Sequence, residues 1–193
     1  KIQGRAGTSV GCEQILTVTV GQSHDAIMSL SKNKLSNVEP GSSDTVTVQI
    51  TNQGNGMETM SVGATGLPPG WQISFSQTSV TIGSSHSGNN KETVTAEVFI
   101  PEDASAAEDT VITFTVGRGG GSSPYDTKEL TVSVAARHSV TTSILSIQQT
   151  GKTGQTVQFP IDVTNSGNIQ DTFKLQTCDP GDQTGCNSPM WES

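Results

Sequence analysis

Three histidines are the residues best able to act as a base or a metal ligand near neutral pH. His86 lies among serines in Gly83-Ser84-Ser85-His86-Ser87-Gly88, so a Ser–His pair for nucleophilic attack can be considered. These serines do not stand in the Gly-x-Ser-x-Gly elbow of hydrolases, and we predict a polar loop instead. His24 and His138 could share a metal ion across a joint, but 138 − 24 = 114 residues separate them. We therefore predict linker positions for both.

Two of the three cysteines, Cys178 and Cys186, flank the turn sequence Asp179-Pro180-Gly181-Asp182. They could form a redox or metal pair, but zinc needs four ligands and no second Cys/His pair lies nearby in the sequence. We predict a disulfide that closes this loop, which implies an oxidising, extracytoplasmic compartment. Cys12 is left free or paired elsewhere, because the count is odd.

Acidic residues outnumber basic ones, 18 to 10, and the formal charge is −8. This balance argues against nucleic acid, since phosphate binding needs clustered cations. We predict no resident cofactor, no metal and no catalytic constellation, hence no enzyme. Calcium on paired acids is the alternative to solvated loop carboxylates, and the candidate residues are Glu102, Asp103, Glu108, Asp109, Asp179 and Asp182.

Short stretches of alternating apolar and polar residues are the elements that must position the candidate functional side chains. Such alternation is the pattern of antiparallel strands with one buried face, and Gly, Pro and Asn clusters separate the stretches. Seven or eight strands of this kind predict an all-β sandwich. No apolar run is long enough for a membrane span. The predicted structural core includes Val46, Val48, Ile50, Trp71, Phe114 and Val132.

Three turns have a predicted mechanical role. Pro40-Gly41 turns the chain into the next strand. Asn52-Gln53-Gly54-Asn55-Gly56 supplies residues that tolerate positive φ, for a hairpin between the second and third strands. Pro68-Pro69-Gly70 then brings Trp71 between the sheets, where we expect it to be the main aromatic of the core.

The chain also repeats itself, and a repeat should be sought before a fold is assigned. Thr51-Asn52-Gln53-Gly54-Asn55 recurs as Thr164-Asn165-Ser166-Gly167-Asn168, at an offset of 164 − 51 = 113. Thr17-Val18-Thr19-Val20 resembles Thr131-Val132-Ser133-Val134, at an offset of 114.

These offsets predict three parts. Residues 1–21 are the last strand of a preceding repeat, 22–137 a complete sandwich, and 138–193 the N-terminal half of a second one. A half sandwich leaves an apolar face and an open strand edge. We therefore expect 138–193 to be less ordered than 22–137 or to lean on a neighbour.

The motifs resemble those of a known family. They are Val38-Glu39-Pro40-Gly41, Ile50-Thr51-Asn52-Gln53-Gly54-Asn55, Gly66-Leu67-Pro68-Pro69-Gly70-Trp71 and Ile100-Pro101-Glu102-Asp103-Ala104. Residues 22–137 are similar to the immunoglobulin-like, NPCBM-associated domain found beside carbohydrate-binding modules in alpha-galactosidases. They also resemble CARDB-type repeats of archaeal and bacterial surface proteins. The resemblance implies an immunoglobulin-like β-sandwich without catalytic residues.

Two functions follow as expectations. The first is a non-catalytic repeat of a large secreted or cell-surface protein, acting as a stalk, spacer or adhesion module. Its partners are then adjacent repeats of the same chain, and a cell-surface protein or glycan. The alternative is an accessory, carbohydrate-contacting module of an extracellular glycosidase or protease. Both place the chain outside the cell or on its surface.

Overall fold

The computed structural model describes residues 2–119 and 123–175 of the 193. Regular structure in these ranges is entirely β, as predicted. No helix in these ranges is long and apolar enough to cross a membrane. The described strands are Ile2–Ala6 (β1), Ser9–Gln14 (β2), Ala26–Leu30 (β3), Lys34–Val38 (β4), Ser43–Asn52 (β5), Glu58–Thr65 (β6), Gln72–Phe75 (β7), Ser79–Ile82 (β8), Lys91–Phe99 (β9), Thr110–Gly117 (β10), Asp126–Val134 (β11), Val140–Ile144 (β12) and Ile161–Asn165 (β13).

Strands β3 to β11 form the central sandwich, residues 26–134. One sheet has the order β3-β5-β9-β7 and the other the order β4-β11-β10-β6-β8. The first stretch of chain is divided between them, because β3 pairs antiparallel with β5 while β4 pairs parallel with β11. This arrangement is an immunoglobulin-like β-sandwich, which confirms the predicted fold class.

The core lies between the two sheets and follows the alternation of the sequence. Val46, Val48 and Ile50 of β5 are buried, as are Phe114 of β10 and Val132 of β11. Threonines such as Thr45 and Thr47 face outward on the same strand. β-Branched residues suit a pleated strand that has one buried and one solvent-exposed face.

Trp71 does not occupy the position expected for it. It lies just before β7, where the Trp71 amide bonds the Pro68 carbonyl at 3.2 Å, and it is only partly buried against the core. Phe114 is the central aromatic instead, fully buried and edge-on to Phe75 with ring centroids 6.0 Å apart. The reason is that β7 is an edge strand, so a residue preceding it reaches the rim of the core and not its middle.

The turn at residues 52–56 also differs from expectation. β5 and β6 belong to different sheets, so the turn is an arch across the sandwich and not a hairpin. Its residues do not adopt positive φ. In the central sandwich Asn37 and Gly66 have positive φ, and so do Gly41 and Gly70. Those two glycines follow prolines, so the Pro40-Gly41 and Pro69-Gly70 turns are built on a left-handed glycine.

The segments outside the central sandwich form two small sheets. β1 and β2 make a hairpin, and Thr17–Val20 is not part of a strand, although the sequence predicts one there. A strand needs a neighbouring backbone to bond with, and β2 pairs with β1 only as far as Gln14. β12 and β13 form the C-terminal sheet, which exposes apolar side chains such as Ile144 and Ile161. The proposed division into repeats stays a prediction.

The different positions of Phe114 and Trp71 lead to a stability prediction. Phe114→Ala leaves a cavity at the centre of the sandwich and should cost about 3–5 kcal/mol of unfolding free energy in urea melts. Trp71→Ala should cost less, because its ring already meets solvent. Phe99→Ala is the matched control, since Phe99 is exposed. Equal losses for Phe114→Ala and Phe99→Ala would contradict this assignment of the core.

Candidate functional site

The Thr-Asn-x-Gly-Asn motif, which occurs at residues 51–55 and 164–168, builds a turn around an asparagine side chain. Asn52 is fully buried, and its Oδ1 accepts a hydrogen bond of 2.7 Å from the Gly54 amide. Its Nδ2 donates to the carbonyl oxygens of Gly56 and Gly83, at 2.9 and 3.0 Å. The buried amide is therefore satisfied on both sides, and it fixes the arch, here called the first junction turn (residues 52–56), to the end of β8.

The first linker (residues 21–25) is bound to this turn through its backbone. The Ser23 amide donates to Asn55 Oδ1 at 2.8 Å, and Asn55 Nδ2 donates to the Gly21 carbonyl at 3.0 Å. The Gln53 amide donates to the Asp25 carbonyl at 2.8 Å. A Cβ on Gly54 would collide with the Ser23 carbonyl oxygen. Glycine is thus required by the close approach of the linker.

The same contacts recur 113 to 114 residues later. In the second junction turn (residues 165–169), Asn165 Oδ1 accepts from the Gly167 amide at 2.9 Å, and Asn165 Nδ2 donates to the Ile169 carbonyl at 2.8 Å. A Cβ on Gly167 would collide with the Arg137 carbonyl oxygen. The strand register repeats as well, since Ala26 faces Asn52 and Val140 faces Asn165.

The second linker (residues 135–139) is bound as the first is. Its Arg137 amide donates to Asn168 Oδ1 at 2.7 Å, and Asn168 Nδ2 donates to the Ala135 carbonyl at 3.0 Å. The Ser166 amide donates to the Ser139 carbonyl at 3.0 Å. Each bond has its counterpart in the first linker, so the repeat extends from the sequence to individual atoms.

Each linker also carries a histidine that faces a carboxylate on the turn side. His24 Nδ1 lies 3.0 Å from Glu58 Oε2, and His138 Nδ1 lies 2.7 Å from Asp171 Oδ2. Both histidines are therefore at linker positions. Hydrogen bonds from His138 and from the Thr172 amide hold the pKa of Asp171 below its ordinary value.

Glu58 is the buried member of the first pair. Its Oε1 accepts a hydrogen bond of 2.6 Å from the Tyr125 hydroxyl. His24 approaches Oε2 without the alignment of a hydrogen bond, so among the described residues this oxygen has only the ion-pair contact. Burial opposes the ionised form, but the Tyr125 hydrogen bond and His24 outweigh it and hold the pKa of Glu58 below its ordinary value. Glu58 in turn raises the pKa of Tyr125.

The second junction is fastened to the central sandwich as well. Asn168 Nδ2 donates to the Ala104 carbonyl at 3.1 Å, and the Asn168 carbonyl accepts from the Ala106 amide at 2.9 Å. Arg137 Nη2 donates to the Pro40 carbonyl at 3.0 Å, and its Nε lies 3.5 Å from Glu39 Oε2. The second junction thus contacts the loop between β9 and β10 and the turn before β5.

The remaining candidates for chemistry are dispersed. His86 lies in an exposed turn with its Nδ1 3.0 Å from the hydroxyl of the adjacent Ser85. Within the described ranges, His, Cys, Asp and Glu side chains form no group of three that could hold a metal ion. Gly7-Thr8-Ser9-Val10-Gly11 has the elbow spacing, but Ser9 begins β2 of a hairpin, whereas the elbow leads from a strand into a helix.

The disulfide prediction is not tested by the structure. Cys178 and Cys186 lie outside the described residues, as do Asp179 and Asp182, and the side chain of Cys12 is also outside them. The acidic pairs at 102–103 and 108–109 lie in the loop between β9 and β10.

The sequence indicated some of the contacts at the two junctions but not others. The paired offsets of the asparagine motif and of the two histidines indicated equivalent positions. Glu58 and Asp171 also share that offset, which is the signal that could have identified the His–carboxylate pairs. The bond from Tyr125 to Glu58 joins residues 67 positions apart and left no such signal.

Trp71 forms part of a shallow groove at the rim of the central sandwich. The ring is partly exposed. The groove is lined by Pro68, Trp71, Ser105, Ala107, Glu108 and Thr110. An aromatic ring beside hydroxyls and a carboxylate is a combination that can stack on and hydrogen-bond a polar ligand.

No family model matches the chain, and no curated protein matches it. Among solved structures it is similar to WR4, a C. elegans MSP family member, at 8% identity and a TM-score of 0.35, covering 56% of this chain and 97% of that one. The PapD-like domain 7 of human CEP192 gives 11% identity and 0.35, covering 64% and 94%.

The class 5 fimbriae chaperone CfaA gives 10% identity and a TM-score of 0.34, covering 74% of this chain and 68% of its own. At these values the similarities do not bear on the function of this chain. The assignment of the fold rests on its own strand pairing.

The lowered pKa of Glu58 predicts acid sensitivity of the first junction. Stability from ionised Glu58 is present above the ordinary pKa of a glutamate and is lost as the pH falls through the lower pKa of the folded state. Urea melts from pH 7 downward should show that the wild type loses stability more steeply than Glu58→Gln. Glu92→Gln, at an exposed strand position, should keep the wild-type slope. Parallel curves for wild type and Glu58→Gln would show that Glu58 is not stabilised as an anion.

Proposed function

We propose that this chain is a non-catalytic immunoglobulin-like repeat segment of a secreted or cell-surface protein, acting as a stalk or spacer. Consecutive units are the partners in this proposal, and each is joined to the next through an asparagine turn and a bound linker. Its role is to set the distance and direction between other parts of a larger protein.

The recurrence of the junction carries the proposal. A flexible connection between domains would use a Gly/Ser-rich linker that makes few contacts. Here the backbones of Ala135, Arg137 and Ser139 all make hydrogen bonds, and His138 contacts Asp171. Repeated, fastened linkers suit a semi-rigid array better than a set of independent domains.

The surface and composition support the location in the proposal. A net charge of −8 with only 15% charged residues gives an acidic, hydroxyl-rich exterior that resists self-association. The predicted Cys178–Cys186 disulfide suits an oxidising compartment. The resemblance to NPCBM-associated domains and CARDB-type repeats supports a surface or secreted protein, with a cell-surface protein or glycan as a further partner.

The spacer role predicts that the second linker is protected from solvent exchange. In hydrogen-exchange mass spectrometry, the amides of Ala135 and Arg137 should exchange slowly, because they donate to the Val38 carbonyl and to Asn168 Oδ1. Asn168→Ala should speed exchange of the Arg137 amide several-fold. Loss of one net hydrogen bond is worth about 1 kcal/mol. Asn33→Ala, the same change at an exposed position, should leave the linker unaffected. A linker that exchanges at the unprotected rate in the wild type would defeat the spacer proposal.

A second candidate function is favoured by the groove at Trp71. An accessory module of an extracellular glycosidase or protease could contact carbohydrate there, because a partly exposed tryptophan offers a flat apolar face to a sugar ring. Glu108 and the hydroxyls of Ser105 and Thr110 supply polar contacts beside it.

A glycan array tests this candidate directly. Binding to a defined class of glycan should be lost in Trp71→Ala and retained in Phe99→Ala, which removes an aromatic ring from a different surface position. No signal on the array, or signal insensitive to Trp71→Ala, would eliminate the carbohydrate function and leave the spacer role standing.

A further inference from the structure

Asn55 and Gly56 form an Asn-Gly pair, and it is the only such pair in the 193-residue sequence. Asparagine is thermolabile, because the backbone nitrogen of the next residue can attack its side-chain amide carbon and expel ammonia. Glycine hinders this attack least, since it has no Cβ and its backbone is permissive. The pair lies in the first junction turn, where the Asn55 side chain binds the first linker.

The structure leaves both reacting groups of this pair available. Among residues 2–119 and 123–175, the Gly56 amide has no hydrogen-bond acceptor, whereas its carbonyl accepts from Asn52 Nδ2 at 2.9 Å. Asn55 Oδ1 accepts a hydrogen bond of 2.8 Å from the Ser23 amide. Negative charge that develops on this oxygen during the attack is therefore stabilised by a donor that is already in place.

The second junction turn has the same geometry with a different residue after the asparagine. Asn168 is the counterpart of Asn55, at an offset of 168 − 55 = 113, and its Oδ1 accepts a hydrogen bond of 2.7 Å from the Arg137 amide. The Ile169 amide also has no acceptor in the described part of the chain, so an unbonded amide at this position is a property of the turn. Ile169 is β-branched, however, and such side chains are stiff and crowd the backbone beside them. The two turns thus differ in the residue that must attack.

Conversion of Asn55 to an acid disrupts the contacts that hold the first linker. Asn55 Nδ2 donates to the Gly21 carbonyl at 3.0 Å, and a carboxylate oxygen in its place sets two acceptors against each other, which is costly. The isoaspartate product also lengthens the backbone of the turn. Because a Cβ on Gly54 would already collide with the Ser23 carbonyl oxygen, a lengthened turn loses its close fit to the linker.

We propose that Asn55 is a site of spontaneous modification to isoaspartate and aspartate, and that this modification releases the first linker from the first junction turn. The Gly56 nitrogen loses its proton to solvent and forms a bond to Asn55 Cγ, while the Cγ–Nδ2 bond breaks and ammonia leaves with a proton from water. Water then opens the resulting succinimide at either carbonyl, which gives the two acids. The proposal goes beyond the spacer role, because it makes one joint change with time, and it does not depend on that role.

Peptide mapping by mass spectrometry, after incubation of the 193-residue chain in mildly alkaline buffer, tests the modification. Asn55 should be converted, and Asn168 should remain an amide. Gly56→Ala should slow conversion of Asn55 several-fold. The atoms nearest to the added Cβ belong to the flexible Gln22 side chain, so the turn can accommodate it. Ile169→Gly is the matched change in the second turn and should bring the conversion to Asn168.

Equal conversion of Asn55 and Asn168 in the wild type would overturn the proposal. So would a folded chain in which Asn55 stays an amide, and conversion of an unstructured peptide of residues 51–58 under the same conditions would then identify the fold as the cause.

Hydrogen-exchange mass spectrometry of the converted protein tests the release of the linker. The Ser23 amide, which donates to Asn55 Oδ1, should exchange several-fold faster than before conversion. The Arg137 amide, which donates to Asn168 Oδ1, should be unchanged and serves as the control. A Ser23 amide with the same protection before and after conversion would refute release of the linker. Since the spacer role is tested at Arg137 and this proposal at Ser23, their failures are distinguishable.

Discussion

The structure depends on one requirement: a polar backbone must cross from one sheet to the other without leaving its hydrogen-bonding groups unpaired. Asn52 meets this requirement at the end of β5, where its side chain takes the place of a backbone ladder. Unpaired groups at such a depth are costly. The first junction turn, which Asn52 fixes in place, is also the surface to which the first linker binds. The same residues therefore close the end of the sandwich and attach the linker.

A comparison of the two junction turns shows that their hydrogen bonds depend on local sequence and not on burial. Asn52 is buried beneath the turn that follows β8, whereas Asn165 is exposed, yet both make the same bonds to their own turns. The geometry is therefore set by the Asn-x-Gly-Asn sequence and the approaching linker, and burial adds stability afterwards. A motif with these properties can be copied along a chain without redesign of each unit.

The sequence predicted the parts of the fold that alternation controls. Val46, Val48 and Ile50 face inward because a strand with one buried face leaves its apolar residues no other position. The predictions for Trp71 and for a hairpin after β5 were wrong. Hydrophobicity indicates which residues are buried, but not which sheet a strand joins or whether the strand lies at an edge. Contacts within one repeat unit, such as Tyr125 with Glu58, depend on that tertiary pairing and have no counterpart in local pattern.

The parallel pairing of β4 with β11 has a mechanical consequence. These strands belong to the first and last stretches of the central sandwich, and they run side by side in the same direction. A pull on the two ends of the sandwich therefore slides one strand along the other, and the hydrogen bonds between them share the load together. Strands that are peeled apart from one end break their bonds one at a time and yield at lower force. A chain stretched between two anchored bodies is in this way reinforced along the direction in which it is pulled.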